Sequence, residues 1–188
     1  IGQGQDPSVV YRDGFYYLVQ SYGHLTITKA STITGLGSAS PVTVFTPPPG
    51  EAYSYDVWAP ELVYLQGDWY IYVAATSAPG ANPTHRMYVL KADTQDPLGS
   101  WKMMGKVFDP ENDKWAIDGA PFEYNGQLYF VWSGWPGDVG DFPQNTYIAS
   151  MSDPLTLSSP RVLISEPDQP WERSVAAYLD VYRDVVAQ

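Results

Sequence analysis

Strand-like runs of apolar and aromatic residues recur three times along this chain. Each unit opens with a nine-residue segment that ends in glycine, and the three segments align without gaps at 6–14, 59–67 and 118–126. An aromatic-rich run follows each of these glycines. The dipeptides at the junctions are typical of tight turns between β-strands, so each unit predicts a β-hairpin. These dipeptides are Asp13-Gly14, Gly67-Asp68 and Asn125-Gly126.

A second pair of strand-like segments follows each hairpin, beginning near residues 24, 86 and 145. Each unit thus predicts four short strands, and the turn glycines are 53 and 59 residues apart. Four-stranded units at such a period are typical of an all-β fold, the β-propeller, in which the first strand of each blade lies innermost. The alternative is a β-sandwich whose hairpins align by chance.

The composition agrees with one folded, turn-rich domain over residues 1–188. Aromatic residues make up 15% of the chain and charged residues only 16%, which excludes an intrinsically disordered chain. The 16 glycines and 17 prolines favour many turns over long helices.

The charge pattern narrows the range of partners. The formal net charge is −11 and the Lys and Arg residues form no cluster, so neither nucleic acid nor an anionic membrane is an expected partner. The chain has no cysteine, which excludes disulfides, Cys-based zinc sites and thiol catalysis. The two histidines, His24 and His85, lie in different blades without a second ligand at suitable spacing, so no metal site is predicted.

Candidate chemistry lies where the inner strands begin, because these positions converge on the axis of a propeller. Eight residues before the turn glycines stand Asp6, Ala59 and Asp118, so two of the three blades place an aspartate there. Blade two instead offers Glu61, close to Trp58. Most glycoside hydrolases catalyse the reaction with carboxyl groups that lie together in one cleft.

Each candidate also has a purely structural interpretation. Asp6-Pro7 and Asp118-Gly119 are common turn dipeptides, and Glu61 could be a partner of backbone amides. Aromatic rings stack on sugars but also fill the space between blades, which is the expected role of Trp132. The candidate substrate-binding residues are therefore Trp58, Glu61, Ser133 and Trp135.

Five segments in a fixed order make the chain resemble glycoside hydrolase family 43, and most of all its exo-acting α-L-arabinofuranosidases. The resemblance runs from about residue 5 to Glu172. The segments are Asp6-Pro-Ser-Val, Trp58-Ala-Pro-Glu61, Trp115-Ala-Ile-Asp-Gly119, Gln127-Leu-Tyr-Phe-Val-Trp-Ser-Gly-Trp135 and Ser159-Pro-Arg-Val-Leu-Ile-Ser165.

The resemblance implies a five-bladed propeller that cleaves α-L-arabinofuranosyl or β-xylosyl linkages of plant cell-wall polysaccharide with inversion. It implies that Asp6 is the general base and that Asp118 orients the general acid and tunes its pKa. It also implies an extracellular enzyme whose partners are arabinose- or xylose-containing oligo- and polysaccharides. No cofactor is predicted, and nothing in the sequence supports an axial calcium ion.

One element of the family pattern is missing. The family's acid is a glutamate in an Asn-Glu-Gly-Pro segment opening the fourth blade, and this sequence has none. Glu172 is the nearest glutamate, but the family places a Trp-Glu pair upstream of its acid, so Glu172 is not assigned that role. The next turn glycine, due between 179 and 185, is also absent.

Residues 173–188 form a divergent tail, interpreted either as an amphipathic helix over 175–187 or as a frayed terminus.

These departures leave two functional interpretations open. Five blades at this period need roughly 270 to 290 residues, so the chain is expected to be a truncated or altered hydrolase that carries the base and the modulator. The alternative is a non-catalytic sugar-binding or inert propeller fragment. Three blades cannot close a ring, and open blade edges predict self-association. A fructosidase-like propeller is set aside, because the chain has neither Arg-Asp-Pro nor cysteine.

Overall fold

The computed structural model describes residues 5–138 and 142–167. In this part of the chain the regular structure consists of thirteen β-strands and two short 3₁₀ helices, Thr34–Gly37 and Asn82–Thr84. The strands are β1 (Gln5–Arg12), β2 (Phe15–Ser21), β3 (Leu25–Ala30), β4 (Val42–Phe45), β5 (Tyr55–Leu65), β6 (Asp68–Thr76), β7 (Arg86–Ala92), β8 (Trp101–Val107), β9 (Ala116–Tyr124), β10 (Gln127–Gly134), β11 (Asn145–Asp153), β12 (Thr156–Leu157) and β13 (Val162–Ser165).

The strands form three antiparallel sheets, one for each sequence repeat. Blade one has the order β1-β2-β3-β4 and blade two the order β5-β6-β7-β8. Blade three begins in the same way with β9-β10-β11. The first strand of each unit is an edge strand, and β5 contacts both β1 and β9 across the blade boundaries. The predicted all-β propeller blades are confirmed, and the sandwich alternative is wrong, because each sheet contains one sequence unit rather than strands from several.

The outer edge of blade three differs from the predicted four strands. Its fourth position is divided between β12 and β13, which both pair with β11. The loop between these two strands contains Pro160, whose backbone has no N–H to donate to a ladder. The predicted tail over 173–188 and Glu172 lie outside the described residues.

The three hairpin turns share one backbone geometry. Both central residues have positive φ in every case: Asp13 (51°) and Gly14 (83°), Gln66 (51°) and Gly67 (92°), Asn125 (49°) and Gly126 (78°). This is the type I′ geometry that matches the twist of the flanking strands. In blade two the turn is therefore Gln66-Gly67 rather than the predicted Gly67-Asp68, and Asp68 begins β6.

The core lies between the blades rather than within a single one. One buried cluster joins blades one and two and includes Ile27, Ile71 and Leu90. A second joins blades two and three and includes Tyr72, Phe130 and Trp132. This packing fixes the inner strands against one another. No helix within residues 5–138 and 142–167 is long and apolar enough to cross a membrane.

Candidate functional site

The inner strand of each blade has an irregularity at the position eight residues before the turn glycine. Asp6, Ala59 and Asp118 all have left-handed backbone conformations, with φ of 50°, 43° and 53°. Strand pairing loses register at each of them, as at a β-bulge. Aspartate tolerates this conformation better than alanine does, because its short polar side chain can bond locally. The equivalence predicted from the repeat therefore exists in the backbone itself.

The fold brings the carboxyl group of Asp6 close enough to Asp118 for its charge to act on the second carboxyl group. Both residues remain partly exposed to solvent. Partial burial raises the pKa of Asp118, and the negative charge of Asp6 raises it further. Both effects have the same direction because partial burial and a nearby negative charge each disfavour an ionised carboxylate.

This shift predicts a pH-dependent gain in stability for Asp118→Asn. The Asp118 carboxyl has a higher pKa in the folded than in the unfolded chain, so its ionisation at neutral pH opposes folding. That penalty vanishes as the pH falls below the unfolded pKa. Urea unfolding of D118N is expected to show a gain in the free energy of unfolding of about 0.5–1 kcal/mol at pH 7, a range that already allows for solvent screening. This gain should decline toward zero near pH 3.5.

The matched control for this prediction is Asp6→Asn, which removes only the neighbouring charge. Because burial is the larger cause of the shift, D6N is expected to give a smaller gain of the same sign. A gain in D118N that stays constant between pH 3.5 and 7 would contradict the electrostatic explanation.

Glu61 links the inner strands of blades one and two. Its Oε2 accepts a hydrogen bond of 2.8 Å from the hydroxyl of Ser8, on β1. The side chain is half-buried. The sequence analysis considered backbone amides as partners of Glu61. The structure instead shows a bond from a side-chain hydroxyl of the neighbouring blade.

Trp58 presents an indole ring that is partly open to solvent. Its side chain is 36% exposed, and one face stacks on the ring of His85 with centroids 3.8 Å apart. It stands one residue before Ala59, in the stretch of β5 where the strand register breaks on both sides of it. A partly exposed aromatic ring that is supported by a stacked neighbour offers apolar surface to a ligand.

The remaining candidates lie in blade three, at the end of β10 that pairs with the start of β9. Ser133 faces Ile117, the residue before Asp118. Trp135 is half-buried and stacks on Trp115, with centroids 4.6 Å apart and planes 14° apart. Trp132 is buried in the core, as predicted.

Sequence reasoning did not single out two residues that shape the site. His85 was considered only as a metal ligand, whereas it is fully buried beneath Trp58. Gly119 was interpreted as half of a turn dipeptide, yet a Cβ atom there would come within 2.5 Å of the Phe130 ring. For Gly119, the sequence offers one signal, namely its position directly after an aspartate of the repeat. Within the described ranges, no group of three or more His, Asp or Glu side chains is arranged to hold a metal ion.

Comparison with known proteins identifies relatives along most of the chain. The sequence model of the family described as glycosyl hydrolases family 43 matches residues 1–178. Alpha-L-arabinofuranosidase 43 of Humicola insolens is 35% identical over 176 residues, covering 91% of this chain and 36% of that protein. The extracellular exo-alpha-(1->5)-L-arabinofuranosidase of Streptomyces avermitilis is 32% identical over 172 residues, covering 89% of this chain and 35% of that protein.

Solved structures of similar fold include enzymes of the same kind as these sequence relatives. An alpha-L-arabinofuranosidase from Lactobacillus brevis superposes with a TM-score of 0.79 at 33% identity, covering 90% of this chain and 55% of that chain. The Cellvibrio cellulosa alpha-L-arabinanase superposes at 0.66 with 17% identity, which shows a shared fold alone. The chain spans about one third of the length of the first two relatives and about half of these two structures. Its sheets are therefore blades of the five-bladed propeller type.

Proposed function

Because this chain belongs to glycosyl hydrolase family 43, we propose that its carboxylates Asp6 and Asp118 take part in the hydrolysis of α-L-arabinofuranosyl or β-xylosyl linkages with inversion. The observation that carries this proposal is the pairing of Asp6 and Asp118 at equivalent bulges of two inner strands, close enough for one charge to act on the other. The arabinofuranosidase relatives support arabinose-containing carbohydrate as the substrate.

In this proposal Asp6 is the general base. Its carboxylate accepts a proton from a water molecule, which attacks the anomeric carbon on the face opposite the leaving oxygen. An inverting enzyme places this water between base and sugar, with the base roughly 6.5–9.5 Å from the acid. Because Asp6 is solvent-exposed, a water molecule can reach its carboxylate.

Asp118 is the second carboxylate of the proposed mechanism. Burial and the charge of Asp6 hold its pKa above the ordinary value. A carboxyl group at that place orients a neighbouring acid and influences its pKa by charge and hydrogen bonding. Trp58 and Trp135 would provide apolar ring surface for the sugar, while Ser133 and Glu61 would provide hydrogen-bonding groups.

The general acid is not identified in this chain, which leads to a prediction about substrates. Loss of general acid catalysis typically lowers the rate about 10²- to 10⁴-fold when the leaving oxygen needs a proton. An aryl arabinofuranoside has a leaving group that departs without one. We therefore expect measurable hydrolysis of the aryl substrate and very slow hydrolysis of an arabino-oligosaccharide by this chain, measured as kcat/KM for each.

Several outcomes of this assay would change the proposal. Equal rates on the two substrates would contradict the missing acid. Calorimetric binding of the oligosaccharide without turnover of either substrate would favour the non-catalytic sugar-binding alternative. Proton NMR of the first sugar released tests inversion, because a retaining enzyme would release the anomer of the substrate.

The same relatives support a proposal about where the whole protein acts. Two of them, from Streptomyces avermitilis and Streptomyces chartreusis, are named as extracellular enzymes. We propose secretion and plant cell-wall polysaccharide as the target on that basis. Self-association through the open blade edges stays a prediction, tested by the mass of the chain in solution.

A further inference from the structure

His85 is a fully buried histidine whose two ring nitrogens both face backbone carbonyl groups. Nδ1 lies 3.0 Å from the carbonyl oxygen of Asn82, and Nε2 lies 3.1 Å from that of Asp56. The side chain is 0% exposed. A ring N–H donates to the carbonyl group that it faces, and full burial leaves the ring little room to rotate, so its plane is fixed.

The fixed imidazole ring packs against one face of the Trp58 indole. The two rings are stacked, with centroids 3.8 Å apart and planes 28° apart. The carbonyl group that Nε2 faces belongs to Asp56, two residues before Trp58 on the same strand. His85 therefore contacts both the indole and the backbone from which the indole projects.

The strand at Trp58 needs such support because it is irregular on both sides. Asp56 and Ala59 have positive φ, 46° and 43°, and the pairing with β6 shifts register before and after Trp58. A continuous ladder would fix the direction of a side chain through its backbone hydrogen bonds. Here the carboxylate of Asp56 accepts a bond of 2.7 Å from the N–H of Gly80, and His85 supplies a further contact at the Asp56 carbonyl.

We propose that His85 is a positioning residue that holds the Trp58 indole in the plane required to stack on the pentose ring. This inference rests on the proposed function, since it assigns Trp58 to sugar binding. A preorganised ring binds its ligand without losing rotamer freedom at that moment, which improves affinity. His85 itself touches no substrate and acts through Trp58.

The first test needs no sugar. The chain is labelled with 5-fluorotryptophan, and the ¹⁹F resonance of Trp58 is assigned by its loss in Trp58→Phe. His85→Ala is expected to shift and broaden this resonance while the resonances of the other tryptophans change little. The control is His24→Ala, which removes the half-buried histidine of blade one and is expected to leave the Trp58 resonance in place. An unchanged Trp58 resonance in H85A overturns the inference.

The second test is a double-mutant cycle on sugar affinity. H85A is expected to raise KM or Kd for an arabino-oligosaccharide about 2- to 10-fold with kcat nearly unchanged, in line with the energy of one aromatic pair. In the Trp58→Ala background the same substitution should have no further effect. Additive effects, or a loss in kcat alone, would overturn the positioning role. If H85A does not fold, His85→Gln, which keeps an N–H donor but lacks the ring, is measured in the same cycle.

These outcomes separate the inference from the proposed function. A wild-type chain that neither binds nor hydrolyses arabinose-containing sugars contradicts the proposed function, and the positioning role toward a sugar fails with it. A wild-type chain that binds sugar, combined with additive effects of the two substitutions, contradicts the positioning role alone.

Discussion

Replacing Asp6 with asparagine is expected to lower kcat/KM on an aryl arabinofuranoside about 10²- to 10⁴-fold. The amide cannot accept the proton of the attacking water, and this range is typical for loss of one general base. The fold should survive, because asparagine also tolerates the left-handed conformation that Asp6 has, with φ of 50°. Initial rates of aryl release and thermal unfolding of the same preparation measure both effects.

The chain contains a closely matched control for this substitution. Asp13 is also an exposed aspartate with φ of 51°, but it lies in the hairpin turn at the other end of β1, beside Arg12. Asp13→Asn is expected to leave kcat/KM within about 2-fold of the wild-type value, because a surface ion pair contributes little. Equal losses in D6N and D13N would show that the loss comes from the fold rather than from the base.

Gly119→Ala is expected to reduce both the stability and the activity of the protein. The added Cβ atom would lie 2.5 Å from Cζ and 2.8 Å from Cε1 of Phe130. The Phe130 ring is 1% exposed and packs against Tyr72 and Trp132, so it has little room to move. Overpacking of this kind typically costs about 1–3 kcal/mol.

The same substitution should displace the carboxyl group next to it. Asp118 precedes Gly119 in the β9 bulge, so relief of the clash moves the backbone that carries Asp118. A misplacement of about 1 Å can lower a rate about 10²-fold. Urea unfolding and aryl arabinofuranoside kinetics of G119A measure the two losses separately.

A double variant tests whether the clash with Phe130 is the cause. Phe130→Leu alone removes part of a buried ring and is expected to destabilise the protein. In G119A/F130L the space left by the ring should accommodate the new methyl group, so the combined loss should be smaller than the sum of the two single losses. Strictly additive losses in the free energy of unfolding would contradict the packing explanation.

Local sequence was sufficient to predict the hairpins and the number of blades. A turn such as Asn125-Gly126 carries its own geometry, because both residues tolerate positive φ. Blade two shows the limit of this reasoning, since Gln66 occupies a left-handed position that its residue type does not favour. There the pairing of β5 with β6 decides the turn.

The positions of Asp6 and Asp118 could be predicted because they are equivalent in a repeat. The effect of the Asp6 charge on the pKa of Asp118 could not, since it depends on how the inner strands of different blades approach each other. The same applies to Glu61, whose partner Ser8 lies 53 residues away in the chain. Their functional roles remain predictions.

The sequence by itself determined the repeating unit, its turns and the two aspartates at matching positions, because these depend on residue type and spacing along the chain. The tertiary structure alone decided which side chains support the site. His85 lies beneath Trp58, and Phe130 leaves space only for a glycine at position 119. Such contacts join residues far apart in the chain, and their energies come from packing between strands and blades, which no local pattern records.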